Sequence, residues 1–252
     1  MTRTERIILP LLTTTALLLG WAMAVHVSGT KIFPSPLEVA RGLAELGRRG
    51  ILGSYIRDSL FRVFVGYGIA VAIGIPLGLL IGWFAGFGRV VNPLIQMMRP
   101  ISPIAWMPLA VIWFGIGEPA PIFLIVLGAL FPLVVATANG VRNVPVIYLR
   151  AGSNFGLSNA AVLRRVVFPA ILPNILTGLR ISLGIAWLVL VAAEMIAVDS
   201  GLGYLIIDAR NAGKRYDLVV AGMILIGVIG LALDTLMRRI EHLRSLRWGF
   251  RS

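Results

Sequence analysis

The sequence predicts an all-α polytopic membrane protein with six transmembrane helices. Three observations carry that fold class. Of 252 residues, 58% are hydrophobic and only 13% are charged, against about one-quarter charged in an average soluble domain. The mean hydropathy is +0.91, more apolar surface than one soluble core of this size can hide. Several stretches run for about 20 residues without a charge, the length that crosses the hydrocarbon of a bilayer. These features exclude a soluble enzyme and a disordered chain. The absence of cysteine also excludes a disulfide scaffold, a thiolate metal site and a cysteine nucleophile.

The chain divides into an N-terminal span (1–32), an interfacial helix with a linker (33–60), a core of spans (61–237) holding a polar loop at 139–171, and a basic tail (238–252). The first apolar run, Ile7 to Val25, follows Arg3 and Arg6. A basic start and an apolar middle also describe a secretory signal, but the run is long for one and no small-x-small cleavage site precedes the next helix. It is read as a retained span. In Phe33-Pro34-Ser35-Pro36-Leu37-Glu38, Ser35 suits an N-cap, Pro36 the first helical position and Glu38 the carboxylate of a capping box. Leu37, Ala40, Leu43 and Ala44 then share a face, which predicts a short amphipathic helix along the membrane surface.

The second span covers about Phe61 to Trp83, with Gly74, Gly78 and Gly82 at small-xxx-small spacing that lets another helix approach closely. The third segment, Pro93 to Gly115, carries Pro93, Pro100, Pro103 and Pro108 around Arg99 and Ser102. Each proline removes a backbone donor. Broken helix at membrane depth is tolerated only against protein or a water-filled cavity, so this segment is read as lining a pathway. Spans four to six fall at about Ala120–Ala138, Ile175–Val198 and Leu218–Met237.

The formal net charge is +12. No basic stripe interleaves with aromatics, so nucleic acid is not the expected partner. The excess instead fits loops held on the cytoplasmic side. Asn139 to Arg165 carries Arg142, Arg150, Arg164 and Arg165 with no acid, and the tail adds Arg238, Arg239, Arg244, Arg247 and Arg251. Six spans with the N-terminus inside place both segments in the cytoplasm. No internal repeat is visible, which disfavours a secondary carrier built from inverted halves.

No constellation for covalent chemistry is present. The two histidines, His26 and His242, fall at membrane edges on opposite sides, and neither Lys31 nor Lys214 follows a Gly-rich phosphate loop. The chain cannot itself hydrolyse ATP. Charges within spans are Arg62, Arg99, Arg180, Glu194 and Asp234, functional candidates by default. Arg62 and Asp234 lie near span ends and are read as reaching the interface. Arg180, about a turn inside its span, is read as snorkelling. Glu194 is deeper, either a hydrogen-bond anchor between helices or a pathway group. Ser102, Trp106, Trp187 and Glu194 are the pathway candidates, being polar or amphipathic groups in the broken span and its neighbour.

The polar loop gives the sharpest signal. Arg150-Ala151-Gly152-Ser153-Asn154-Phe155-Gly156, nine residues, then Val166-Val167-Phe168-Pro169 resembles the EAA motif of ABC-importer permeases: Glu-Ala-Ala, three residues, Gly, nine residues, Ile-x-Leu-Pro. Ala151, Gly156, Pro169 and both spacings match, whereas Arg150 stands where the motif has Glu, Gly152 where it has Ala and Phe168 where it has Leu. The resemblance extends along the chain. Phe33-Pro34-Ser35-Pro36, Pro103-x-x-Trp106-x-Pro108-Leu109, Trp113 to Glu118, Thr177-Gly178-Leu179-Arg180, Val191-Ala192-Ala193-Glu194 and Ser200-Gly201-Leu202-Gly203-Tyr204 are similar to signatures of the nitrate/sulfonate/taurine-type permeases.

The resemblance implies a methionine-importer-like permease fold, with a cytoplasmic coupling helix between spans four and five. The coupling residues would be Ala151, Gly152, Ser153, Asn154, Phe155, Gly156, Leu157 and Ser158, with Pro169 setting the angle to span five. It further implies a second copy of the chain, two ATPase subunits carrying ATP and Mg, a periplasmic or lipoprotein substrate-binding protein, surrounding lipid, and a bacterial inner-membrane location with both termini cytoplasmic. No cofactor is expected in the chain itself. Small oxyanions or organic anions would be the cargo. The competing reading is a secondary carrier or channel without an ATPase.

Overall fold

A computed structural model describes residues 5–29 and 33–241, every regular element being helical. Lys31, His242 and the tail arginines Arg244, Arg247 and Arg251 lie outside these residues. Helix α1 (Glu5–Ser28) makes few contacts and exposes Leu12, Leu17, Leu19 and Met23 all round. Helix α2 (Pro36–Arg48) begins at the predicted capping box: the Ser35 backbone N–H donates to Glu38 Oε2 at 2.7 Å, and Glu38 N–H to Ser35 Oγ at 3.3 Å.

Helix α2 packs on the protein through a different face from the apolar one read for the membrane surface. Val39, Gly42 and Leu46 turn inward, while Leu37, Ala40 and Ala44 stay exposed. The helix therefore has two apolar faces, and the one carrying Gly42 wins the protein contact because only glycine lets Asp217 and Leu218 come so close. Helix α3 (Ile51–Trp83) starts ten residues before the predicted second span, directly after Gly50 in the left-handed conformation (φ 72°). Nothing between Ile51 and Phe61 breaks a helix, so the polar residues Arg57 and Asp58 simply ride on its first turns.

The third segment breaks, but not at every proline. Pro93 sits inside α4 (Ala85–Met98). The chain turns at 99–102, continues as a 3₁₀ turn Pro103–Trp106 and resumes as α5 (Met107–Phe114), the two helical parts meeting at 86°. Ser102 (φ −57°, ψ 131°) takes the extended backbone that a following proline imposes. Helix α6 (Pro119–Arg142) returns through the bundle. The predicted polar loop is largely helical: α7 (Val146–Asn154), α8 (Asn159–Val162) and a π-helical turn Leu163–Val167 that runs without a break into α9 (Phe168–Ala197). An unforeseen α10 (Leu202–Gly213) precedes α11 (Tyr216–Glu241).

Among the described residues, α3, α6, the continuous 159–197 rod and α11 are long and apolar enough to cross a membrane, and the bent α4–α5 pair, together as apolar, forms either a broken fifth span or a re-entrant loop. The apolar part of α1, Leu12–Ser28, is shorter. The core is α3 against α6 against α9. Gly66, Ala70, Gly74, Gly78 and Gly82 form one buried or close-packed stripe of α3. A Cβ at Gly78 would lie 2.6 Å from Thr137 Cβ of α6, so the predicted small-residue spacing is indeed the α3–α6 contact.

Candidate functional site

Two polar features sit at opposite ends of α6, some 36 Å apart by helix rise. The first is the hairpin between α6 and α9. Helix α7 ends in a Schellman turn: Leu157 N–H donates to Gly152 O at 3.1 Å and Gly156 N–H to Ser153 O at 2.9 Å, with Gly156 at φ 74°. This supplies a physical reason for glycine at the matching motif position, since a left-handed residue closes the helix. Ser158 caps the next helix, its Oγ accepting from Ala161 N–H at 3.4 Å. Gly152 is buried, and a Cβ there would sit 3.2 Å from Val162 Cγ2.

The predicted coupling stretch is therefore half helix and half turn, held by these backbone and cap hydrogen bonds. Ala151, Ser153, Asn154, Phe155, Gly156 and Ser158 are exposed and Leu157 is half-buried. Phe155 is 87% exposed at the tip and Ile147 68% exposed along α7. Pro169 lies just past the π turn, in which Phe168 N–H reaches back to Leu163 O.

The second feature is a buried charge cluster that sequence reading missed. Arg62, expected at the interface, is 0% exposed. It donates from Nε and Nη2 to the two oxygens of Glu118, each at 2.7 Å, a bidentate pair. Its Nη1 donates to Glu194 Oε1 at 2.7 Å and to the Ser200 carbonyl at 2.8 Å, and Nη2 also to Ser200 Oγ at 2.7 Å. All the guanidinium donors are thus used. Glu194, also 0% exposed, accepts further from Ser59 Oγ at 2.8 Å and from Gly203 N–H at 2.9 Å, while Leu202 N–H donates to Ser59 Oγ at 2.9 Å. Gly201 (φ 105°) passes so close that a Cβ would fall on the Glu194 carboxylate.

The cluster ties the first turns of α3, the start of α6, the end of α9 and the turn into α10. It explains Ser200-Gly201-Leu202-Gly203 as a cradle for two charges: the Ser200 carbonyl and hydroxyl oxygens accept from Arg62, while Gly203 N–H donates to Glu194 and Leu202 N–H to Ser59. A signal for it was present: between positions 59 and 198 the only acids are Glu118 and Glu194, and both go to the one arginine of α3's apolar stretch. Asp234, by contrast, is half-exposed and pairs with Arg180 at 2.7 Å and Arg238 at 2.9 Å.

Of the pathway candidates, Ser102 is exposed on the bend of the broken segment and Trp106 half-buried at its end. Trp187 is buried in the core, its Nε1 donating to Ile226 O at 3.1 Å beside Gly230. Trp187 and Glu194 therefore have their polar atoms committed to the protein.

Four long apolar helices and an apolar helix pair bent through about a right angle define a multi-pass membrane component. The chain belongs to the family of binding-protein-dependent transport system inner membrane components, which it matches over residues 74–245. It is 42% identical to the putative ABC transporter permease protein MJ0413 of Methanocaldococcus jannaschii, over 87% of this chain and 84% of that one. It is 38% identical to the putative aliphatic sulfonates transport permease protein SsuC of Bacillus subtilis (88% and 79% covered). With the taurine transport system permease protein TauC of Escherichia coli it shares 36% identity (88% and 82% covered). The fold is that of a solved inward-facing MetNI methionine ABC transporter chain, with TM-score 0.68 at 19% identity over 79% of this chain and 98% of that one. These relatives mark it as an ABC-importer permease of the nitrate/sulfonate/taurine type.

Proposed function

We propose that two copies of this chain form an alternating-access pathway that imports a small sulfonate-like or nitrate-like anion, driven by two separate ATPase subunits that carry ATP and Mg and supplied by a binding protein. The observation that carries this reading is the α7–α8 hairpin: a capped, hydrogen-bonded element whose Ile147, Tyr148 and Phe155 are covered by none of the described residues. On this reading Ala151 to Ser158 couple to the ATPase, and Pro169 with the π turn transmits their movement to α9 as a rigid rotation. The hairpin side is cytoplasmic, with α1 as a sixth span and both termini inside. The broken segment with Ser102 and Trp106 faces the pathway, and Trp187 and Glu194 hold the wall behind it. Relatives named for sulfonates, taurine and nitrate support the anion class.

The test is native mass spectrometry of the tagged chain gently solubilised from its own host. The expected mass is two copies of this chain plus two copies of an ATPase. A chain that runs alone in several mild detergents would overturn the reading.

A further inference from the structure

Arg150 stands on the outward face of α7. That face is set by packing: Leu149 and Gly152 turn toward Val162 and Val166 of the rod, which leaves Ile147, Arg150, Ala151 and Asn154 on the opposite side, all exposed. Arg150 is the only charge on that face, with Phe155 at 87% and Ile147 at 68% exposure beside it. It forms no ion pair among the described residues, and the chain holds no Asp or Glu anywhere from 119 to 193. Arg142, Arg164 and Arg165 adjoin the ends of α6 and α9, where anionic headgroups are the usual counter-charge. Arg150 is set off from them on the hairpin, between apolar side chains that suit a protein groove.

We infer that the ATPase partner presents a carboxylate in the floor of its docking groove, opposite Arg150, so that this permease selects its ATPase by a charge pair whose cation comes from the α7 helix. The inference rests on the importer reading above. A guanidinium closed into an apolar groove without an acceptor is strongly unfavourable, and the shortfall of acceptors in this chain leaves the partner to supply one. A bidentate carboxylate also fixes orientation, which an apolar contact through Phe155 and Ile147 does not.

The experiment uses the full chain co-expressed with its own ATPase subunits and binding protein, purified and reconstituted. Arg150→Glu is expected to reduce the ATPase recovered per permease by roughly tenfold or more, Arg150→Ala by less, and Arg150→Lys least. A single Asp/Glu→Arg exchange in the ATPase groove is expected to restore assembly with Arg150→Glu while weakening assembly with the wild type. If wild type and Arg150→Glu assemble equally, the charge pair is overturned while the importer reading stands. If the defect disappears in vesicles of phosphatidylcholine alone, the partner was an anionic headgroup and the inference is likewise overturned. A wild-type chain that recovers no ATPase overturns the importer reading and this inference with it. Unchanged thermal melting of Arg150→Glu separates lost docking from misfolding.

Discussion

At one end of the bundle Arg62 places every N–H on Glu118, Glu194 and Ser200, with no exposure at all. At the other end Arg150 stands exposed with no acid from 119 to 193 to meet it. Both are arginines within helices. The difference lies in what surrounds them. The first end brings four chain segments together, so the protein closes around its own charge. The second is a hairpin whose Arg150 meets no carboxylate among the described residues, so on the proposed reading closure comes from another chain.

Removing the cation from the closed end has the largest expected effect. Arg62→Met leaves Glu194 buried and unpaired, a change that costs about 3–5 kcal/mol, read as a lower melting temperature and a poor folded yield in detergent. Pairing it with Glu194→Gln should recover part of that loss, because the orphaned charge goes too. A double variant no more stable than Arg62→Met would break the account of the cluster. Gly201→Ala comes next: its φ of 105° and the Glu194 carboxylate in the way of a Cβ predict a destabilisation of about 1–3 kcal/mol or more.

The same type of change at the open end separates stability from coupling. Gly156→Ala strains the Schellman turn (φ 74°) by about 1 kcal/mol, local to the hairpin, so melting of the bundle should barely move while ATPase recovery falls. Phe155→Ala should leave melting unchanged, since the ring is 87% exposed, and lower transport-coupled ATP hydrolysis. A melting loss equal to that of Gly201→Ala would erase the contrast between the ends.

The smallest effect is one of pH, at the surface of α2. Glu45 lies below the ordinary carboxylate range, first through its hydrogen bond from Arg215 and then through nearby charge. Glu38 is lowered chiefly by the Ser35 backbone N–H. Groups with depressed folded values contribute stability that is present above the ordinary carboxylate range and lost as pH falls through the lowered one. Melting should therefore be flat from neutral pH down to about pH 5 and decline below about pH 4.5. Glu45→Gln should flatten that decline slightly.

Local rules made much of this fold readable. The capping box at Ser35 and Glu38, the glycine stripe of α3 and the proline break each follow from chemistry within a few residues. Misreadings arose where a long-range partner decided. Arg62 looked interfacial because the apolar run begins at Phe61, yet α3 starts at Ile51 and carries Arg62 into the interior. The inward face of α2 was settled by Gly42 meeting Asp217 and Leu218, a contact across more than 170 positions of the chain. Helix α10 lay hidden in a stretch holding Asp208, Arg210 and Lys214, too polar for a span and too short to stand out. At the hairpin, family spacing located the element, but only the Schellman geometry showed why Gly156 is there.

The partners of Arg62 also impose an order on biogenesis. The chain is made from its N-terminus, and Glu194 lies 132 positions later. At about 5–20 residues per second that gap lasts roughly 7–26 s. Throughout it the arginine has no buried carboxylate to settle against, and for the first 56 positions not even Glu118. A lone guanidinium is unwelcome in hydrocarbon, so the first turns of α3 must wait in a hydrated setting while later helices are threaded. Completion of the cluster comes with the Ser200–Gly203 turn, which makes that short segment the clasp that closes over the charges before α11 follows.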